Sequence, residues 1–290
     1  MGSPKHHERL DHDYTIDQAW ETYTPEEHAT WCTLFERQVR LVPSGACEAF
    51  AAGLTKLDLN EGGIPDFRRL NEKLMALTGW QVVAVPDLVP DAAFFEMLAG
   101  RRFPAGRFIR KPSQLDYIEE PDVFHDVFGH VPMLTHPVFA DFMEAYGKGG
   151  LRSLKFDALD HLARLYWYTV EFGLVKADDG LRVYGAGIIS SKAETEFSLK
   201  DPSPNRIGFD LLRVMRTDYR IDDFQQTYFV IDSIEHLMEA CSVDFAPLYG
   251  ELETAADLTP EALTPTDHVL HWGTQAHAAA HPSTTTGETA

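Results

Sequence analysis

The chain has 290 residues; 45 are acidic and 25 basic, leaving a formal charge of −20 with histidine counted neutral. That balance argues against nucleic acid and against anionic membrane surfaces as partners, since both need clustered Lys and Arg. The longest apolar stretch, Leu162 to Val175, is interrupted by Arg164 and Glu171 and falls short of the ~18 residues that span a bilayer.

Residues 1–14 are polar and are expected to form a disordered tail, as are the small polar residues 273–290. Residues 15–272 contain no repeat, heptad run or long linker and are read as one compact domain. The N-terminus lacks the apolar core of a secretory signal. Cys32, Cys47 and Cys241 show no CxxC spacing. A cytoplasmic protein with reduced, buried thiols is the expectation.

In chain order, Thr24-Pro25-Glu26-Glu27 predicts a helix start: the hydroxyl and the acid three residues on cap each other's backbone N–H, and Pro suits the first helical position. That helix should bury Trp31, Leu34, Phe35 and Val39. A second begins near Pro65, buries Phe67, Leu70, Leu74 and Leu77, and stops at Thr78-Gly79. Trp80 to Val85 reads as a strand halted by Pro86, and Asp91 to Ala99 as a helix closed by Gly100. Residues 121–130 and 157–176 read as helical. Tyr184 to Ser191 reads as a turn or short strand. Tyr228 to Ile231 reads as a strand, followed by a helix that Ser233 caps. The expected fold class is mainly α with a few short β-strands. Alternating βαβ units are not seen, and no GxGxxG or GxxxxGK[ST] is present to cradle phosphates.

Two histidines in Pro121-Asp122-Val123-Phe124-His125-Asp126-Val127-Phe128-Gly129-His130-Val131-Pro132 carry the first chemical signal. On a regular helix residues five apart point about 140° away from each other. His125 and His130 can converge only if the helix widens or ends between them, which Gly129 and the pre-proline Val131 favour. Otherwise they cap a helix end or bond within a core. Glu171 is the second signal: it sits among Trp167, Tyr168, Leu174 and Val175, where a carboxylate is costly unless paired or bound to a cation. Arg164, two turns earlier, is one possible partner; a metal shared with His125 and His130 is the other. Two imidazoles and one carboxylate leave up to three octahedral positions open, a set that suits non-haem iron(II) and oxygen chemistry.

With PDVFHDVFGHVP, LYWYTVEFGL and YGAGIISS in this order, the chain resembles the pterin-dependent aromatic amino acid hydroxylases, and most of all their short bacterial phenylalanine-hydroxylating members. The likeness covers about residues 60–245 and extends to FFEMLAGRRFPAGRFIRK and YFVIDS. It implies a single compact catalytic domain and an iron(II)- and tetrahydropterin-dependent monooxygenase converting L-phenylalanine to L-tyrosine with O2. It also implies a monomer, since the animal members' regulatory segment and tetramerisation helix have no counterpart here. By resemblance, His125, His130 and Glu171 are the iron ligands. Arg110 and Ser190 hold the substrate carboxylate, and Trp167 lines the ring pocket. Phe94 stacks on the pterin, while Asp126 and Tyr166 lie near iron and pterin. Asp126 stands where animal members usually carry Glu, and Ile118 where they tend to have Thr.

Three readings compete: this hydroxylase, acting on phenylalanine or on tryptophan or tyrosine; a zinc hydrolase built on the same three ligands; and a binding module in which the three are only structural. The missing general-base Glu between the histidines counts against the hydrolase.

Overall fold

The Thr24 capping box forms as its spacing requires. In the computed structural model, Thr24 N–H donates to Glu27 Oε2 at 2.7 Å and Glu27 N–H returns a bond to Thr24 Oγ1 at 3.2 Å. The structure describes residues 14–60, 62–116 and 120–282. They group into two compact units: residues up to Arg37 with Ala52–Arg152, and Gln38–Ala51 with the residues from Ser153 on. Each crossing falls inside a helix (Pro25–Val39, Glu48–Leu57 and Pro137–Ser153), so no linker composition marks it.

In the first unit, the helix Pro25–Val39 buries Trp31, Leu34 and Phe35, and the helix Phe67–Thr78 buries Phe67, Leu70 and Leu74. Val39 and Leu77, expected in the core, are exposed in the last turns, where the apolar stripe outruns the surface covering it. Gly79 closes the second helix in the left-handed region at φ 74°. Strands β1 (Gln81–Val85) and β2 (Arg102–Gly106) pair in parallel around the helix Asp91–Ala99. This βαβ unit was not expected: Pro104 and Gly106 hide β2, though an edge strand tolerates proline.

In the second unit a five-stranded mixed sheet has the order β4-β3-β6-β5-β7. Its strands are β3 (Leu174–Ala177), β4 (Gly180–Val183), β5 (Asn205–Gly208), β6 (Thr227–Ile231) and β7 (Val269–His271). All of β6 is buried. The helix expected to reach residue 176 ends at Glu171, and Leu174 and Val175 are strand residues. Gly173 marks the break: a Cβ there would lie 2.1 Å from the Tyr184 ring. Tyr184 to Ser191 is neither plain turn nor strand, because Ala186–Ile189 makes one helical turn. Ser191 and Ser233 each cap the next helix through the side-chain oxygen.

The C-terminal segment read as a tail from residue 273 is folded to residue 282. Gly273 N–H donates to Asn205 Oδ1 at 2.9 Å, and Ala276–Ala280 forms a helical turn. Its few apolar groups concealed this, because the anchoring is by hydrogen bonds. Residues 1–13 and 283–290 of the expected tails, and Ile118, lie outside the described residues. None of the three cysteines is in a disulfide; Cys47 is buried, which pushes its thiol up to about 11, while Cys32 and Cys241 are only partly covered. No helix among the described residues is long and apolar enough to cross a membrane.

Candidate active site

His125 and His130 lie on one π-helical turn, Phe124–His130. Its i→i+5 bonding widens the helix so that side chains five apart share a face. Their Nε2 atoms are 3.2 Å apart, with the rings at 85°. The turn's other side is anchored by aromatics: Phe124 and Phe128 stack at 4.8 Å, and Trp31 and Phe35 meet them edge-on. Phe103 of β2 packs on the His130 ring at 4.8 Å. Asp126, on the same turn, accepts a 2.7 Å bond from Gly106 N–H.

Asp122, just before the turn, was not singled out from sequence. It is fully buried and accepts from His125 N–H at 3.0 Å and from Arg110 N–H at 2.9 Å. Arg110 Nε and Nη2 grip its two oxygens at 2.8 Å each. Burial opposes ionisation of Asp122, but the Arg110 hydrogen bonds and charge outweigh it and hold the carboxyl below its usual range. Arg110 is itself buried, so its guanidinium plane is fixed by a bidentate pair and is no surface ion pair. A sequence signal existed: Asp three residues before His125 is an N-cap pattern. Phe94 is half-buried on the helix Asp91–Ala99, edge-on to Phe95 at 5.7 Å.

Glu171 closes a second π-helical turn, Trp167–Glu171, which continues the helix Leu159–Tyr166. Arg164 does not serve it: its guanidinium binds Asp257 at 2.7 Å and Asp218 at 2.5 Å. Trp167 stacks on Tyr219 at 4.3 Å, and its Nε1 donates to Gln225 Oε1 at 2.9 Å. No local pattern could have revealed partners 52 and 58 residues away. Tyr166 is half-buried at the start of the wide turn, and Ser190 is buried at the end of Ala186–Ile189. The YGAG motif explains itself here. A Cβ at Gly185 would sit 2.4 Å from the Glu171 carbonyl oxygen, so only glycine lets this segment lie against the end of the Glu171 turn.

His125 and His130 on the first unit's wide turn, and Glu171 at the end of the second unit's, are side chains of the kinds that could hold a metal ion. A divalent first-row ion about 2.1 Å from each imidazole nitrogen, with those ligands at right angles, sets them about 3.0 Å apart. The observed 3.2 Å fits that geometry.

The chain matches the model of the biopterin-dependent aromatic amino acid hydroxylases over residues 9–249 and belongs to that family. It is mainly helical, with the catalytic-domain fold of those enzymes. The phenylalanine-4-hydroxylase of Caulobacter vibrioides is 63% identical over 268 residues, 92% of this chain and 91% of that one. The cobalt-bound phenylalanine hydroxylase of Chromobacterium violaceum matches with a TM-score of 0.89 at 56% identity, covering 90% of this chain and 95% of that one. The iron- and phenylalanine-bound structure from the same organism matches at 0.86 and 55% identity, covering 89% and 94%. These relatives leave the zinc-hydrolase and binding-module readings without support.

Proposed function

We propose that the chain is an iron(II)- and tetrahydropterin-dependent phenylalanine 4-monooxygenase, forming L-tyrosine from L-phenylalanine and O2. The pairing of His125 and His130 Nε2 on one wide turn carries the reading, supported by relatives named for that activity. Ferrous iron and a reduced pterin supply, when bound, a place for O2 and two electrons, which an unactivated benzene ring requires.

The protein's own residues do the rest. His125, His130 and Glu171 would hold the iron, a donor set that suits non-haem oxygen chemistry. Arg110, fixed by Asp122, presents a guanidinium edge to the substrate carboxylate, and Ser190 contributes a hydroxyl to binding it. Trp167, braced by Tyr219 and Gln225, walls the ring pocket and excludes water. Phe94 offers a face to the pterin. Asp126, tethered to Gly106, and Tyr166 orient pterin and metal-bound water. The enzyme works as a cytoplasmic monomer, which light scattering of the purified chain tests.

The deciding experiment is anaerobic loading with iron(II), then addition of O2 and a tetrahydropterin with phenylalanine, tyrosine or tryptophan. Pterin-dependent tyrosine from phenylalanine is expected. Turnover of tryptophan alone, or hydrolysis without pterin, overturns the reading. The Glu171→Gln variant should lose iron, and unchanged iron content removes Glu171 from the ligand set.

A further inference from the structure

The C-terminal helical turn Ala276–Ala280 has no part in the chemistry above, yet it carries His277 and, just past its end, His281. These two lie four residues apart, the spacing that puts side chains on one helix face, and their rings stack at 4.2 Å and 24°. Asp223, in the loop before β6, meets them: His277 Nε2 lies 2.9 and 3.1 Å from its two carboxylate oxygens. One ligand-type atom from each of the three lies within 4.8 Å of the other two. We propose that Asp223, His277 and His281 form a second cation site, one for a late first-row divalent ion, zinc above all.

The donor chemistry fits. Two imidazoles and a carboxylate are a borderline set that zinc takes in tetrahedral geometry, with water as fourth ligand. His281 is prepared for the task. Its Nδ1 donates to the His277 carbonyl oxygen at 3.0 Å, which fixes the tautomer that leaves the Nε2 lone pair for a metal. His277 is held in place by its neighbours: its backbone N–H donates to Ser203 Oγ at 2.9 Å, and its ring lies 5.2 Å from both Phe197 and Phe224. Before metal binds, the Nε2 proton of His277 is shared with Asp223. The cation takes the place of that proton, which leaves to water, and Asp223 remains bound as a ligand.

One charge opposes the site. Arg220 Nη2 is 3.7 Å from Asp223 Oδ2, but Asp222 engages the same guanidinium at 3.0 and 3.2 Å and offsets it. A bare His277–Asp223 pair would account for neither the stacked His281 nor its fixed tautomer.

The test uses the full chain, iron-loaded and anaerobic, titrated with zinc against a chromophoric chelator. One zinc per chain is expected beyond the retained iron. His281→Ala and Asp223→Ala should each weaken it at least tenfold without altering iron content. In zinc-soaked crystals, anomalous scattering at the zinc edge should fall among the three side chains. Equal zinc affinity in the native chain and His281→Ala, or zinc found only where iron had been, overturns the proposal. His281 is exposed, so its variant folds and keeps the comparison meaningful.

Discussion

Asp122 answers to two masters: the guanidinium of Arg110 and the backbone of His125, a proposed metal ligand. Removing one partner of such a buried pair strands the other charge. Asp122→Ala should therefore cost about 3–5 kcal/mol in urea unfolding. Because the Asp122 pKa is depressed in the fold, the stability it confers is present above the ordinary carboxylate range. It is lost as pH falls through the depressed value, so the Asp122→Ala deficit should shrink in acid. Arg110→Lys keeps the charge but not the fork. It should raise the KM for phenylalanine at least tenfold while moving that for pterin little; equal effects on both would remove Arg110 from the substrate site. Asp122 was legible only as a helix cap, because its second duty depends on Arg110, 12 residues earlier in the chain.

Two under-wound turns carry the three residues of the proposed ligand set. The spacing of His125 and His130 let them converge only in a helix that widened or ended between them, an ending that Gly129 and Val131-Pro132 favoured; the helix in fact widens. For Glu171 the sequence offered only an apolar setting, and the apolar run hid the change from helix to strand at Gly173. The strand β2 was hidden too, by its own proline. At this scale the informative substitution is Gly185→Ala, whose methyl would meet the Glu171 carbonyl oxygen at 2.4 Å. Overpacking of this kind costs about 1–3 kcal/mol. The displaced turn should also lower iron affinity, as metal retention after dialysis would report. A variant that loses stability but holds iron normally would show that the segment merely packs.

The fold class was readable because it rests on short-range pattern, helical periodicity and caps, and the proposed metal trio was singled out through three motifs. What was not readable is non-local, such as the Trp167 brace and the buried pair of Glu194 with Tyr228. Burial raises Glu194 to about 7, against the pull of its bond from Tyr228. A raised carboxyl stabilises the fold fully below its unfolded pKa and loses that contribution as pH climbs through the folded value. From about pH 5 to 8 the native chain should thus lose up to about 3 kcal/mol that Glu194→Gln retains. Parallel Tm-against-pH curves for the two would refute this.

Asn205 is buried on the inner strand β5, and its side-chain oxygen Oδ1 accepts from the backbone N–H of Gly273. Anyone trimming the gene to the apparent end of the apolar pattern would cut away that donor, along with the bonds from Thr274 and Gln275 to the loop at Pro202 and Ser203. The stranded acceptor alone costs about 1–3 kcal/mol. A product ending at residue 272 should melt several degrees lower than one ending at 282, so expression boundaries belong beyond the last helical turn.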